Sequence, residues 1–243
     1  MGGAAGSALS VPSLRFPELA PHRERVLDAL IALCHDESAA MDALKLGPRQ
    51  AHEVAANRGL RASPVLSVME RYTGVLFDAV DVASLSAAAT RFCAEQVVVH
   101  SALFGLVGGS DLIPAYRLSH NSRVPGVPLL STWSSAVADA LERSGEWVVD
   151  LRSEAYVKLG PAPPGRSVYV RVVSRGPDGV SRALNHFNKK AKGEFVRAVA
   201  ESGVVFAHPD QLLEWAVAVG VGLTPGRPGE LELDAAQASP WAP

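Results

Sequence analysis

The chain is short of cysteine, and this absence excludes several classes of protein. Cys34 and Cys93 are the only cysteines among 243 residues, so the sequence has neither a disulfide framework nor a paired-cysteine zinc site. Both thiols lie in helix-like apolar patterns, and we interpret them as small buried side chains. This usage fits a reducing compartment.

Long apolar runs and an excess of positive charge are also lacking. No run approaches the roughly 20 residues that a membrane span requires, and the first ten residues have no basic or long apolar region of the signal-peptide kind. We therefore expect a cytoplasmic protein with no membrane partner. The formal net charge is -2, so nucleic-acid binding would have to use a local patch.

The composition is that of a folded domain. With 48% hydrophobic residues in 243, the chain can bury one sizeable core. We predict a disordered segment over 1–12, a single domain over 13–234 and a flexible tail over 235–243. The first half is rich in helical patterns and the second mixes strands and helices irregularly, which favours an α+β fold with a helix-rich N-terminal half packed on a mixed β-sheet.

Periodicity places the individual elements. Residue 84 is predicted as a helix N-cap, 176–179 as a turn, and the last strand as a sheet edge. The predicted helices are 21–34, 38–46, 50–58, 65–71, 84–93, 133–143, 189–202 and 209–219, and the predicted strands are 96–100, 147–151, 167–175, 181–185 and 230–234.

Residues 97–118 are the stretch most suggestive of a site. A short apolar strand opens into a glycine-containing loop, with a turn at 108–111, and polar side chains follow. Polar groups at the end of a buried strand are a common way to build a site on a rigid scaffold. The candidate residues here are Ser101, Asp111, Tyr116 and Arg117.

Two further clusters have the same chemical character. One is Tyr72–Thr73–Gly74, and the other comprises Asp150, Ser153 and Tyr156 near another strand end. Hydroxyl, carboxyl and guanidinium groups of this kind bind phosphates and base edges. Spacing marks no Ser–His pair, nucleophilic cysteine or metal-ligand set, so we predict no metal and no cofactor.

Positive charge is concentrated in residues 166–197. Eight cations there face only Asp178 and Glu194, a local charge of +6, and they can either meet phosphates or form a solvated face. Phe187 fits base stacking or core packing equally well, and His100 and His186 fit core or rim positions better than a catalytic role. The cations are Arg166, Arg171, Arg175, Arg182, Lys189, Lys190, Lys192 and Arg197.

Several ordered motifs resemble the peroxide stress protein YaaA family over about residues 16–233. The resemblance implies a bacterial protein that binds DNA in a positively charged cleft and limits iron-driven oxidative DNA damage during hydrogen peroxide stress, with an unusual α+β fold and a helix-hairpin-helix-like element. The motifs are YTGVLFDA (72–79), HSALFGLVGGSDLIPAYRL (100–118), the tryptophan of STWSS (131–135), VVDLRSEAYVK (148–158) and HFNKKAKG (186–193).

The resemblance also implies site residues. The helical hairpin across 46–48 is the candidate DNA-contacting element, with Lys45, Arg49, Arg58 and Arg61 around it. The matching motif positions are Tyr72, Thr73, Gly74, Ser101, Gly105, Asp111, Pro114, Tyr116, Arg117, Trp133, Asp150, Ser153, Tyr156, Asn188, Lys189, Lys192 and Gly193.

Two departures from the family pattern stand out. Relatives open with a buried strand leading into a Pro-Pro-Ser-Glu or Ser-Pro-Ala-Lys segment, which residues 1–11 do not show, so we expect either a start codon placed too late or a lost cleft element. Residues 107–109 read Val-Gly-Gly where relatives often have arginine and proline. The second departure removes a cation from the expected cleft.

Two functions remain open from the sequence. The first is DNA binding, with Arg171 and Arg197 joining the motif cations as phosphate contacts. The second is an enzyme acting on a nucleotide or a small phosphorylated or carboxylated metabolite, with Asp111, Tyr116, Asp150 and Ser153 as catalytic groups. Direct iron sequestration is the least supported reading, and the oligomeric state stays open.

Overall fold

A computed structural model describes residues 8–175, 181–183 and 188–240. The predicted turn at 176–179, together with His186 and Phe187, lies outside the described residues. The elements in chain order are α1 (Ala20–Leu33), α2 (Glu37–Leu44), α3 (Ala51–Arg58), β1 (Val65–Ser67), α4 (Val68–Arg71), α5 (Val75–Val80), α6 (Ala87–Gln96), β2 (Val98–Ser101), β3 (Gly105–Gly108), β4 (Leu112–Pro114), α7 (Leu129–Ser144), β5 (Val148–Asp150), α8 (Glu154–Val157), β6 (Ser167–Arg175), β7 (Ser181–Ala183), α9 (Asn188–Ser202), α10 (Pro209–Val219), β8 (Leu223–Pro225) and β9 (Glu230–Asp234).

This mixture of helices and open sheets confirms the predicted α+β class. The internal contacts of the chain define two compact units. Unit 1 contains residues up to 71, 95–143 and 152–161, and unit 2 contains 72–94, 144–151 and 162–243. Short single-turn 3-10 helices at Val11–Ser13 and Ala235–Gln237 lie near the two ends of the described chain.

Unit 1 combines helices with two small antiparallel sheets. Strand β2 pairs with β3, and β1 pairs with β4. Helix α7 is amphipathic, and its buried stripe includes Trp133, Val137 and Ala140 at the spacing of successive helical turns. The indole Nε1 of Trp133 donates to the carbonyl of Ala102 at 2.9 Å, which fixes the ring against the β2–β3 connection.

Unit 2 is built on a five-stranded mixed sheet. The order is β5-β6-β9-β8, with β7 pairing antiparallel to β6. Strand β6 is parallel to both β5 and β9. Val168, Val170 and Val172 of β6 are buried and pack with Phe195 of α9, so the alternation in the sequence correctly identifies the core face of this strand.

Four sequence-based interpretations were wrong, and three of them were wrong because pairing with another segment decides the structure. Residues 65–71 begin as strand β1, which pairs with β4, rather than as one helix. The predicted glycine loop contains strand β3, whose four residues are all buried. Ser84 ends a 3-10 turn. The residue that caps α6 is Ser86, whose Oγ accepts from the Ala89 N–H at 3.1 Å.

The fourth incorrect interpretation concerns strand β9, which we expected to lie at the edge of its sheet. It lies between β6 and β8 because Leu223–Pro225 forms a strand that the sequence analysis missed. The bounds of β6, α10 and β9 were all predicted correctly.

Candidate functional site

Ser101 and Tyr116 meet in unit 1 at the end of β2. The Ser101 Oγ and the Tyr116 hydroxyl are 2.7 Å apart. The same Oγ accepts from the backbone N–H groups of Leu103 and Phe104 at 3.1 and 2.9 Å. Ser101 is buried, so it orders the β2–β3 connection from within while orienting the half-buried tyrosine.

Gly105 begins β3 in a conformation that suits glycine. Its φ is +64°, and a Cβ built there would lie 2.7 Å from Cζ3 of the fixed Trp133 ring. Glycine is therefore required for both the backbone conformation and the close approach. Pro114 lies across the β1–β4 sheet, opposite Val65.

Asp111 organises the turn after β3. Its carboxylate accepts from the backbone N–H of Arg15, at 3.0 and 2.9 Å to the two oxygens, and from the N–H of Gly108 at 2.9 Å. The predicted turn over 108–111 is confirmed, since the Asp111 N–H donates to the Gly108 carbonyl at 3.0 Å. These contacts give Asp111 a structural role in this turn.

Arg23 is a buried cation that the sequence analysis missed. Its Nε donates to the Phe104 carbonyl at 2.9 Å, and one Nη donates to the carbonyls of Arg15 and Leu106 at 2.6 Å each. Burial lowers the pKa of its guanidinium to about 10, although the nearby charges of Asp111 and Glu18 act to raise it. It remains charged at neutral pH and ties α1 to the β2–β3 connection.

Tyr156 is the centre of an aromatic and cationic cluster in unit 1. The His100 ring contacts it edge-on with centroids 5.5 Å apart, and the His120 ring is tilted against it at 5.4 Å. Burial raises the pKa of the Tyr156 hydroxyl, while the backbone N–H of His120 and the charge of Arg117 act in the opposite direction. Its neutral, donating form is therefore favoured.

Arg152 orients the histidine behind this tyrosine. One Nη donates to His100 Nδ1 at 3.0 Å and to the Gly160 carbonyl at 2.8 Å. Because arginine can only donate, Nδ1 is the accepting nitrogen and the ring proton lies on Nε2. Ser153 occupies the N-cap position of α8 without a side-chain capping bond, although its carbonyl accepts from the Tyr156 N–H at 2.9 Å.

Arg117 projects from a backbone that is held on both sides. The buried amide of Asn57 donates to the Arg117 carbonyl and accepts from the Arg117 N–H, both at 2.8 Å. Three residues of this cluster, Tyr156, Arg117 and the neighbouring Ser101, were predicted from the sequence. Asn57 and His120 were not, since no local pattern marks them, and Arg152 lies in the motif 148–158 but was not among the candidate residues.

The α2–α3 hairpin is also part of unit 1. Lys45 caps α2 in the left-handed conformation (φ 57°), and a 3-10 turn at Pro48–Gln50 leads into α3. Lys45 and Arg49 are exposed. Of the two remaining cations, Arg61 pairs with Glu24 and Asp28, and Arg58 Nε donates to the Cys34 carbonyl at 3.0 Å.

A second group of predicted residues gathers in unit 2 around Tyr169. Lys192, although buried, places its Nζ 5.3 Å from the centre of that ring. The Arg171 guanidinium lies 5.5 Å from the same ring and donates to both oxygens of Glu230, at 3.0 and 2.9 Å. Asp150 is buried and stands opposite Tyr169 in the parallel register.

Helices α5 and α9 are in close contact in unit 2. A Cβ built on Gly193 would lie 2.1 Å from the Leu76 carbonyl oxygen, so the helices require a residue without a side chain there. Arg197 donates to the Val80 carbonyl and the Ser84 Oγ, both at 2.9 Å. Gly193 and Arg197 thus join the two helices.

The three motif residues before α5, Tyr72–Thr73–Gly74, differ in their contacts and exposure. Gly74 has φ +99°, and its N–H donates to the Asp78 carboxylate at 3.2 Å. The Tyr72 ring stacks on Phe77 at 5.2 Å, and Thr73 is exposed.

Three cations of the basic segment 166–197 are paired with acids. Besides Arg171, Lys190 lies 3.1 Å from Glu194, and Arg197 lies 3.6 and 3.8 Å from Asp81 and Glu201. Lys189 is exposed on the first turn of α9, after the half-buried Asn188. Because Glu230, Asp81 and Glu201 lie outside the segment, the local charge of +6 overstates the positive surface that it presents.

Comparison with known proteins identifies the family. The family model described as peroxide stress protein YaaA matches residues 7–218. The chain belongs to the YaaA family. It is 39% identical over 205 residues to a UPF0246 protein of Corynebacterium efficiens, covering 82% of this chain and 80% of the relative. It is 37% identical over 245 residues to a UPF0246 protein of Streptomyces coelicolor, covering 98% and 90% respectively.

The motifs that carry the YaaA resemblance divide between the two units. Residues 100–118, Trp133 and Tyr156 lie in unit 1, while 72–79, Asp150 and 188–193 lie in unit 2. Among the described residues, no helix has the length and apolar character needed to cross a membrane.

Proposed function

We propose that this YaaA-family protein acts in the bacterial cytoplasm during hydrogen peroxide stress by binding DNA, and that this binding limits iron-driven damage to the DNA. The family description supports the stress context. The α2–α3 hairpin supports the DNA contact, and its exposed turn is the observation that carries the proposal.

The hairpin has the features of a phosphate-contacting element. Lys45 and Arg49 flank the turn on its two sides, and both side chains are exposed. Leu44 and Val54 anchor the two helices by burial, so the cations are held on a firm support. Two cations held in this way can each neutralise a backbone phosphate without reading sequence.

The test is duplex binding by the double variant Lys45→Ala with Arg49→Ala, measured between 50 and 200 mM salt. If each cation contacts one phosphate, the slope of log affinity against log salt should fall by about 1.8, since each contact contributes about 0.9. The matched control is Arg143→Ala with Lys158→Ala, which removes two exposed cations from the same unit and should leave the slope unchanged.

A second measurement addresses protection. Duplex breakage by ferrous iron and hydrogen peroxide is compared with and without the protein, and the hairpin variant should protect less than the wild type. Wild-type affinity and slope in the hairpin variant would contradict the DNA contact, and equal breakage with and without wild-type protein would contradict the protection.

A further inference from the structure

His100 joins strand β2 of unit 1 to the segment around α8 through a hydrogen bond that depends on its protonation state. Arg152 Nη1 lies 3.0 Å from His100 Nδ1, and it also donates to the Gly160 carbonyl at 2.8 Å. We infer that this contact is an acid-sensitive latch, which holds α8 against β2 while His100 is neutral and lets α8 open when His100 takes up a proton. The inference does not rest on the proposed DNA contact.

The first step is the position of the ring protons of His100. A guanidinium only donates, so Nδ1 of the neutral ring accepts from Arg152 and the single ring proton lies on Nε2. The second proton of an imidazolium would therefore have to be added at Nδ1. There it would point at a permanently charged nitrogen 3.0 Å away. Two donors with like charges repel each other at that distance, so protonation requires the contact to break.

The second step is that α8 is joined to β2 through side chains that meet at His100. Arg152 provides the hydrogen bond, and the Tyr156 ring meets the His100 ring edge-on with centroids 5.5 Å apart. After α8 the chain is anchored, since Leu159 is buried and a Cβ built on Gly160 would lie 2.3 Å from a methyl carbon of α7. A change at His100 therefore acts on both contacts of α8, while the residues that follow stay in place.

The third step is that the groups of unit 1 described around His100 keep one charge state between pH 5 and 8. Arginine and tyrosine have ordinary pKa values above about 12 and about 10, so Arg152 and Tyr156 stay charged and neutral respectively. The same holds for Tyr116, which is hydrogen-bonded to the serine that follows His100. Leu106, which stands opposite His100 in β3, is apolar. A change in this pH range is thus assigned to a histidine.

The fourth step separates His100 from the other histidine of this cluster. The His120 ring is tilted against Tyr156 with centroids 5.4 Å apart. A proton on His120 would place a cation beside an aromatic ring, which is an attractive arrangement. Acid therefore strengthens the His120 contact and breaks the His100 contact, and the latch is assigned to His100.

The experiment is hydrogen–deuterium exchange of the full chain, followed in α8 through the N–H groups of Val157 and Lys158. These groups donate to the Ser153 and Glu154 carbonyls at 3.0 and 3.2 Å. Corrected for intrinsic exchange rates, the opening equilibrium of α8 should rise about tenfold from about pH 7.5 to 5.5, because one proton is taken up only by the open form, with an ordinary pKa of about 6.5. The protection of α7, in the same unit, should not change.

Two variants assign the effect to one residue. His100→Asn keeps an acceptor for Arg152, since the amide oxygen takes the place of Nδ1, and it cannot be protonated, so the opening of α8 should no longer depend on pH. His120→Asn is the matched control, because it removes the other histidine that contacts Tyr156, and it should keep the rise of about tenfold.

Nitrogen NMR of the wild-type protein with labelled histidine gives a readout that needs no variant. His100 should carry its proton on Nε2 while α8 is closed. An imidazolium at His100 in the closed form would overturn the inference. So would wild-type opening that does not change with pH, an equal rise in His100→Asn, or a rise that is lost in His120→Asn.

Discussion

Replacing Gly105 with alanine tests a tightly fitted contact in unit 1. Two costs combine at this position. The left-handed backbone (φ +64°) costs a residue with a Cβ about 1–2 kcal/mol. The added Cβ would also lie 2.7 Å from the Trp133 ring, and overpacking of this kind costs about 1–3 kcal/mol. The ring cannot swing aside without losing its 2.9 Å bond to the Ala102 carbonyl.

The control is Gly126→Ala in the same unit. Gly126 has φ +70° with no atom within 4 Å of a built Cβ, so it incurs only the backbone cost of about 1–2 kcal/mol. Unfolding in guanidinium, followed by tryptophan fluorescence, should show that Gly105→Ala lowers the free energy of unfolding by about 2–5 kcal/mol in total. Equal losses in the two variants would refute the argument that ring contact makes glycine necessary.

Three further predictions concern other parts of the fold. Cys34 and Cys93 are buried, and burial raises the pKa of both thiols, that of Cys93 to about 11. A chromogenic disulfide reagent should therefore label neither cysteine in the native protein and both after denaturation. Rapid labelling of the native protein would contradict this prediction. Glu230 has its carboxyl pKa lowered, chiefly by its arginine partner, so the pair stabilises the fold above the ordinary carboxyl pKa and that contribution is lost as the pH falls through the lowered value. Glu230→Gln should lower the free energy of unfolding, measured by urea titration, by about 1 kcal/mol at pH 7 and by progressively less below pH 5. A difference in unfolding free energy that does not change with pH would count against the pairing. Asn57→Ala should lower the free energy of unfolding by about 2–3 kcal/mol, because the backbone N–H and carbonyl of Arg117 lose their partners; a loss near zero by chemical denaturation would show that water replaces the amide.

The elements that were predicted well are those whose own hydrophobic pattern is enough to determine the secondary structure. Strand β6 spans nine residues, and its bounds were predicted correctly because Val168, Val170 and Val172 alternate on one buried face. Residues 65–71 show the opposite case. A short apolar run fits a helix or a strand equally well, and here the pairing of Val65 with Pro114 decides it.

The candidate sites were predicted only in part, for a related reason. Tyr156 and Arg117 stand in recognisable motifs, but Asn57 lies 60 residues before its partner Arg117, and Arg152 lies 52 residues after His100. Tertiary structure alone creates such pairs. In the basic segment the count of charges was correct, but Arg171 and Arg197 pair with acids from elsewhere in the chain, as Glu230 does for Arg171.

The order in which the two units use the chain bears on how the protein is made. The chain passes between them five times, after residues 71, 94, 143, 151 and 161, so no single cleavage point separates one unit from the other. Helix α5 cannot pack against α9 until α9 has been synthesised, because Val80 and its partner Arg197 are 117 residues apart. At synthesis rates of about 5–20 residues per second, the apolar face of α5 leaves the ribosome about 6–23 s before the helix that covers it. During that interval this segment is a natural binding site for chaperones that recognise newly made chains.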